Sequence, residues 1–159
     1  MQKITPCLWF DGNAEDAANF YVTLLPDSRV DRVTRSPTDY PSGSAGDVLT
    51  VDFTLAVQSW FALNGGPEFK FNEAVSFTIY CDDQREVDRL WETLTADGGS
   101  PVACGWLRDR FGLSWQIIPR QLPEFLASPD REAAARAMAA MMDMVKLDVA
   151  ALQRAFEGG

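Results

Sequence analysis

Short stretches of alternating hydrophobic and polar residues recur along the chain, a pattern typical of β-strands that bury one face. The predicted strands are residues 3–10, Arg29–Arg35, Val48–Leu55, Gln58–Asn64, 75–81 and the two arms of a hairpin over residues 104–119. The hairpin turns at residues 109–112, which begin with Asp and end with Gly, both common turn residues. Arg29–Arg35 is the most polar of these strands, so we expect it at a sheet edge.

Each half of the chain also predicts one amphipathic helix directly after its first strand. Hydrophobic residues recur at helical spacing in both helices, and the second set follows the first after seventy positions. The two sets are Ala17, Phe20, Tyr21 and Leu24, and Val87, Leu90, Trp91 and Leu94. Asn13 and Asp83 precede the helices and are predicted to cap them, with Glu86 completing a capping-box pattern.

The order of strand, helix and then several strands therefore occurs twice. We predict an α+β fold of paired βαβββ modules, at about residues 3–64 and 74–119, which together form one domain over residues 1–119. The helices are expected to cover the outer face of a cup-shaped antiparallel sheet. The polar strand faces then line the cup, while Trp91 and Trp115 lie in the core on the helix side.

The assignment of strand faces decides which residues line this cup, because a shift of one residue reverses a whole strand. In Gln58–Asn64 we assign Phe61 and Leu63 to the helix side and Trp60 to the cup. The same reasoning predicts one concave pocket lined by Trp60, Trp106, Ser76 and Gln116.

Residues 120–159 depart from the repeat and predict a C-terminal helical extension. Ser128 is expected to cap a helix that begins at Pro129, and Asp148 to cap a last short helix. The first of these helices carries a soft apolar stripe of Ala133, Ala134, Ala137, Met138, Met141 and Met142. Such a stripe either packs against the body or a second subunit, or forms an adaptable binding surface.

Two segments show no hydrophobic period. Residues 36–47 are rich in Pro, Ser and Gly and predict a mobile surface loop, with a lid as one interpretation. Residues 65–72 are expected to connect the two halves. Their Gly-Gly-Pro start lacks the strand–turn–helix glycine pattern of nucleotide-like cofactor sites, so we interpret it as a linker.

The composition limits the partners. The 159-residue chain has a net charge of −9 and 47% hydrophobic residues, as expected of an ordinary globular protein. The negative charge argues against nucleic acid and anionic membranes. No signal peptide or membrane-spanning stretch is predicted. Three cysteines without CxxC spacing are interpreted as reduced, which favours a cytoplasmic location.

The absence of histidine narrows the chemistry most. It excludes Ser-His-Asp and Cys-His catalytic groups and histidine-based zinc sites. Acid–base chemistry would fall to Asp, Glu, Lys, Tyr or Cys.

Three segments of the sequence resemble a known family. They are ITPCLWFDGNAEDAANFY (4–21), NGGPEFKFNEAVSF (64–77) and CGWLRDRFGLSWQIIP (104–119). With the duplicated topology and the tail, they resemble the PhnB-like branch of the vicinal oxygen chelate superfamily of glyoxalases, bleomycin-resistance proteins and extradiol dioxygenases. Members of that branch are often labelled 3-demethylubiquinone-9 3-methyltransferase. The resemblance implies the fold and a homodimer.

Metal-using members of that superfamily bind a divalent ion with His, Gln or Glu on four strands. The resemblance puts Thr5 (or Pro6), Trp60, Ser76 and Gln116 at those positions. Threonine and serine are poor ligands and tryptophan is none, whereas a tightly bound first-row metal needs three or four firm donors. We therefore expect no metal and no other cofactor.

The candidate ligand pocket consists of cup-facing side chains, none assigned as catalytic: Cys7, Trp9, Asp52, Trp60, Ser76, Tyr80, Trp106, Arg108 and Gln116. Its tryptophans either form an aromatic floor for a flat ligand or fill the cup. Asp52 and Arg108 either orient a ligand or form a structural ion pair. Cys7 and Cys104 lack a histidine to activate them and are expected to be core cysteines rather than nucleophiles.

Three functions agree with these features. The first, which we favour, is a metal-free pocket that binds a small, partly aromatic molecule, as bleomycin-resistance relatives do. The second is an enzyme, either the labelled methyltransferase or an acid–base catalyst that uses Asp52 and Tyr80. The third is an interaction module whose methionine-rich tail docks a partner. We also expect a homodimer with residues 138–142 near its interface.

Overall fold

The structure is a computed structural model that describes residues 3–159. The chain divides into two compact units, of which the first ends at Phe71 and the second runs from Asn72 to Gly159. Each unit contains one four-stranded sheet with the same strand order. The predicted α+β duplication of βαβββ modules is therefore confirmed.

The first unit contains one helix and four strands: β1 (Cys7–Phe10), α1 (Ala14–Tyr21), β2 (Arg29–Arg35), β3 (Val48–Leu55) and β4 (Gln58–Asn64). The sheet order is β1-β4-β3-β2, so β2 is an edge strand, as predicted. The strand β1 runs parallel to β4. The sheet was expected to be purely antiparallel but is mixed. The crossover through α1 makes β2 run in the same direction as β1, and the two antiparallel pairings that follow leave β4 parallel to β1.

The second unit repeats this arrangement with β5 (Ser76–Cys81), α2 (Gln84–Thr95), β6 (Ser100–Pro101), β7 (Trp106–Arg108) and β8 (Ser114–Pro119). Its order is β5-β8-β7-β6, with β5 parallel to β8. Three further helices follow: α3 (Gln121–Leu126), α4 (Arg131–Met142) and α5 (Val149–Glu157). Within residues 3–159, none of these helices is long and apolar enough to span a membrane.

Each sheet packs its apolar face against the helix of its own unit. In the first unit, Tyr21 of α1 lies over Phe53 of β3, with 6.2 Å between ring centroids. In the second, all four predicted positions of α2 are buried, and Trp115 on β8 is 1% exposed. The stripe of α2 therefore marks the core as predicted, while in α1 Ala17 and Tyr21 are buried, Phe20 is half-buried and the buried Leu24 lies beyond the end of the helix. Burial of each large side chain contributes about 1.5–3 kcal/mol.

The cap of α1 differs from the prediction. Asn13 occupies the N-cap position but makes no side-chain cap hydrogen bond. Instead Asn64 on β4 accepts a hydrogen bond from the backbone N–H of Ala14 at 3.0 Å, and its amide nitrogen donates to the carbonyl of Val48 at 2.9 Å. Asn64 is 5% exposed, so it joins α1, β3 and β4 from inside the unit.

The caps of the other helices are local. Asp83 accepts from the N–H of Glu86, and Asp148 from that of Ala151, both as predicted. The prediction for α4 is wrong, because the cap is Asp130, which accepts from the two N–H groups of Glu132 and Ala133. Ser128 supports this cap by accepting a hydrogen bond from the N–H of Asp130.

The predicted hairpin turn is organised by Asp109, which is 1% exposed. One carboxylate oxygen accepts from the N–H groups of Phe111 and Leu113, and the other from the indole of Trp115 at 2.8 Å. Gly112 has φ +90°, a backbone conformation that favours glycine. The turn and the core tryptophan are thus held by one buried carboxylate.

The segment 36–47, predicted as a mobile loop, makes several hydrogen bonds within itself and to neighbouring residues. Ser36 is buried, its N–H donates to the carbonyl of Asp47, and its hydroxyl donates to the carbonyl of Thr38. The hydroxyl of Ser42 reaches the carbonyl of Gly65 at 2.6 Å. These bonds give the loop a defined conformation, which argues against a freely opening lid.

The tail helices pack onto the second unit around a core of Ile118, Leu122, Phe125, Ala137, Leu147 and Leu152. Gln84 on α2 donates to the carbonyl of Leu147 and accepts from the N–H of Val149. On α4 the alanines of the predicted stripe face this core. Met138 and Met142 are 49% and 61% exposed, so the methionine end of the stripe faces outwards in this unit.

We predict that Asn64→Ala lowers the free energy of unfolding by about 2–3 kcal/mol, since it removes the cap of α1 and leaves a buried carbonyl unsatisfied. Asn13→Ala is the matched control and should change it by less than about 0.5 kcal/mol. Urea denaturation of both variants measures the difference. Equal losses would contradict the assignment of the cap to Asn64.

Candidate functional site

The pairing of β4 decides which side chains occupy the open face of the first sheet, the face that α1 does not cover. Trp60 lies opposite Phe53, and Phe61 lies opposite Asp52. Because Phe53 contacts Tyr21 of α1, Trp60 shares the helix side and Phe61 shares the open face. The predicted face assignment of β4 is therefore wrong: Trp60 and Phe61 exchange places.

The surroundings of Trp60 confirm this correction. Its ring stacks on that of Phe53 with 6.1 Å between centroids and 19° between planes, and the residue is 7% exposed. Large apolar residues lie on both faces of β4, so alternation alone could not identify the helix side. The packing of Trp60 against Phe53 decides that Trp60, and not Phe61, faces the helix.

Four side chains form one row across the open face, one from each strand. Arg32 pairs with Asp52, Asp52 with Phe61, and Phe61 with Cys7. Neighbouring strands are about 4.8 Å apart, so the row places a cation, an anion, an aromatic ring and a thiol in sequence. The sequence analysis identified Asp52 and Cys7 but not Arg32 or Phe61.

A groove of about 870 Å³ lies in the first unit around this row. Its lining residues are Lys3, Thr5, Asp31, Arg32, Thr50, Asp52, Phe53, Ser59, Trp60 and Phe61. Two of the predicted pocket residues, Asp52 and Trp60, are among them. This volume is in the range of small-molecule sites, and the lining combines an aromatic ring with charged groups and hydroxyls.

The charged groups of the groove hold one another in place. Nε and Nη2 of Arg32 both contact the Oδ2 atom of Asp52, at 2.8 and 2.7 Å. Asp31 is held separately, by Arg29 at 2.8 Å and by the hydroxyl of Thr54 at 2.7 Å. One of the two predicted alternatives was a structural ion pair between Asp52 and Arg108. Asp52 does form an ion pair, but its partner is Arg32.

Cys7 and Trp9 lie on the open face along β1, outside the groove lining. Cys7 is exposed and Cys104 is half-buried, so the prediction that they are core cysteines is wrong. Desolvation raises the pKa of the Cys7 thiol, so the thiol stays protonated at neutral pH and is a poor nucleophile. The indole of Trp9 donates to the carbonyl of Gly66 at 2.8 Å, and its ring meets Phe69 edge-on at 4.9 Å. Trp9 is thus half-buried beneath the segment that follows β4.

The predicted site residues of the second unit share the open face of its own sheet. Trp106 pairs with Gln116, and Arg108 pairs with Ser114. The side-chain nitrogen of Gln116 donates to the hydroxyl of Ser76 at 3.0 Å. Tyr80 is half exposed. The face assignments are right for this sheet, while a pocket that these side chains share with Trp60 stays a prediction.

The residues at the four metal positions do not fit a tightly bound transition metal. The side-chain nitrogen of Gln116 donates to the hydroxyl of Ser76, so these two side chains are engaged with each other, and a serine hydroxyl is a weak metal ligand. Trp60 packs on Phe53, and the residue that takes its place on the open face is Phe61, which has no donor atom. Within residues 3–159, no group of three His, Cys, Asp or Glu side chains could hold a metal ion.

Sequence reasoning missed Arg32 and Phe61 for different reasons. Arg32 lies on a strand whose residues are mostly polar, so the alternation of apolar and polar residues does not show which side chains face the open side of the sheet. Phe61 alternates with Trp60, and grouping it with Leu63 as the apolar face of β4 placed it on the helix side. The signal that could have identified Arg32 is the charge of the neighbouring strands. Asp52 on β3 needs a cation from β2 or β4, and β2 has three arginines.

Comparisons with known proteins agree with this architecture. Residues 2–118 match the family model described as 3-demethylubiquinone-9 3-methyltransferase. The PhnB protein from Bacillus cereus, which carries the same methyltransferase label, is 32% identical with a TM-score of 0.67. The alignment covers 74% of this chain and 99% of that one. Among curated proteins, none matches this chain significantly.

Two further solved structures show the same fold at lower identity. Protein PA1353 from Pseudomonas aeruginosa is 21% identical with a TM-score of 0.61, covering 75% of this chain and 98% of that one. The fosfomycin resistance protein FosX from Listeria monocytogenes, solved with Mn(II) and sulfate, is 14% identical with a TM-score of 0.50. That alignment covers 79% of this chain and 97% of FosX.

We predict that Trp60→Ala lowers the free energy of unfolding by about 3–5 kcal/mol, because it removes a large side chain packed on Phe53 and leaves a cavity. The control is Trp106→Ala, which removes the same side chain from the open face of the second sheet and should cost clearly less. Chemical denaturation of the two variants tests this. A smaller loss for Trp60→Ala than for Trp106→Ala would contradict the corrected face.

Proposed function

Because the chain belongs to the PhnB-like 3-demethylubiquinone-9 3-methyltransferase family, which has the glyoxalase/bleomycin resistance/dioxygenase fold, we propose that it binds a small, partly aromatic molecule without a metal ion. The proposed site is the groove on the open face of the first sheet. The observation that carries the proposal is the row of Arg32, Asp52 and Phe61, which places an ion pair beside an aromatic ring.

The groove has the properties of a ligand site rather than of unfilled core. Phe61 offers a flat apolar surface, and the hydroxyls of Thr5, Thr50 and Ser59 lie around it. An apolar surface with a few fixed polar groups is the usual composition of a small-molecule pocket. Arg32 and Asp52 are held by each other, so both can present their remaining polar atoms in a fixed orientation.

The family description supplies the argument for a second candidate, methyl transfer. Such a reaction needs a methyl donor. A nucleotide-like donor is usually bound by a glycine-rich stretch, and the candidate stretch here is the Gly65-Gly66 pair. In this structure the pair has another role: Gly66 accepts from Trp9, and a Cβ at Gly65 would collide with the Trp9 ring. These glycines serve packing, so we favour binding over methyl transfer.

The binding proposal predicts that small aromatic fragments of mixed charge include compounds that bind the first unit. Phe61→Ala should weaken their binding by about 1–3 kcal/mol, since it removes the stacking surface. Phe69→Ala, which removes an exposed ring outside the groove, is the control. Ligand-observed NMR before and after EDTA treatment measures both effects, and EDTA should change nothing. Absence of binders, or equal weakening by both variants, would refute the site.

We also propose that the protein is a cytoplasmic homodimer with residues 138–142 at the interface. The support is the exposed apolar group of Met138, Met142 and Val145 on the tail, together with three cysteines that form no disulfide among the described residues.

Sedimentation should give a dimer at micromolar concentration. Replacing both Met138 and Met142 by Glu should give a monomer, because two charges would enter an apolar contact. Ile4→Glu, which adds a charge at an 85% exposed position, should leave the dimer intact. A wild-type monomer, or a double variant that still dimerises, would contradict this prediction.

A further inference from the structure

The polar groups of the groove indicate the chemical class of the ligand. Resting on the proposed function, we infer that the ligand is a monoanionic aromatic compound of the aromatic carboxylate class. Its ring lies against Phe61, its carboxylate is bound by Arg32, and Lys3 adds a second positive charge to the groove.

The positively charged side chains around the groove outnumber the carboxylates by one. Both acidic residues of the lining are already engaged, Asp52 by Arg32 and Asp31 by Arg29 and Thr54. Among residues 3–159, no carboxylate lies within ion-pair distance of Lys3. Counting Arg29, the groove has three cations and two anions, although the whole chain has a net charge of −9. A local positive charge on an acidic protein favours an anionic ligand.

Arg32 has donors to spare. Its two contacts use Nε and Nη2 and converge on a single oxygen of Asp52, while a guanidinium has five N–H groups. The side chain is 67% exposed, so the outer N–H groups can reach a carboxylate from solvent. Arginine forms its strongest hydrogen bonds with carboxylates, because the acceptor is charged and two parallel bonds are possible.

The spacing fits one small ligand. Since Asp52 draws the guanidinium of Arg32 towards β3, the cation lies about one strand spacing, roughly 5 Å, from Phe61 on β4. Lys3 and Thr5 approach from the opposite side, where the N–H of Phe61 donates to the carbonyl of Pro6 at 3.0 Å. A ring that bears its carboxylate directly can therefore contact Phe61 and Arg32 at once, with Lys3 on the other side of the ring.

Three probes of the same shape and different charge test the ligand class: benzoate, benzamide and benzamidinium. Titrations of the full-length protein, followed by amide shifts of β3 and β4, give the three affinities. Benzoate should bind about ten-fold more tightly than benzamide, as expected for charge-assisted hydrogen bonds, and benzamidinium least tightly. Only the benzoate affinity should fall strongly as salt is raised.

Two variants locate the effect. Arg32→Gln should remove most of the preference for benzoate and Lys3→Gln a smaller part of it. Both variants should leave benzamide binding within about two-fold, because the neutral probe uses Phe61. Arg35→Gln removes the same charge from the same strand outside the groove and should keep the preference. Loss of the preference in Arg35→Gln as well would show a general charge effect and overturn the assignment to Arg32.

The outcomes separate the two proposals. If benzoate and benzamide bind the groove equally, or benzamidinium binds best, the ligand class is wrong and the binding site stands. If none of the three probes shifts the amides of β3 and β4 at millimolar concentration, while the screen of aromatic fragments finds groove binders, the ligand class again is wrong. If the screen also finds none, the proposed function itself is overturned.

Discussion

One constraint governs both units: a four-stranded sheet has two faces, and a single helix covers only one of them. The covered face must therefore collect the large apolar side chains, such as Phe53 in the first sheet and Trp115 in the second. Their burial supplies the main stabilisation. The other face is left to polar and half-buried residues, and this is where the candidate site lies in the first unit.

Two buried polar side chains fix the position of these layers. Asn64 binds the start of α1 and the start of β3, and Asp109 binds the hairpin turn and Trp115. Each satisfies several groups that would be costly to leave without partners inside a protein. They therefore specify register, which apolar packing alone would leave less well defined.

The open face of the first sheet shows how a fold can keep its geometry and change its chemistry. Of the positions that the family resemblance associates with metal ligands, those in this unit hold Thr5 and, at the corrected position on β4, Phe61. A hydroxyl and a phenyl ring do not bind a first-row metal tightly. The same surface instead combines an aromatic ring with the Arg32–Asp52 ion pair, which suits recognition of an organic ligand.

The pattern of the sequence is sufficient to predict most of the elements, the duplication, the core stripe of α2 and the faces of the second sheet, but not the short strand β6 or the helix α3. In β5 of that sheet Phe77, Ile79 and Cys81 alternate with Ser76, Thr78 and Tyr80, so alternation identifies the buried side. In β4 both faces carry large apolar residues, and only the pairing of Trp60 with Phe53 decides between them. The cap from Asn64 and the partner of Asp52 also depended on tertiary structure, because these contacts join residues 50 and 20 positions apart. Local patterns report which face a strand can bury, whereas contacts between distant residues decide which alternative is realised.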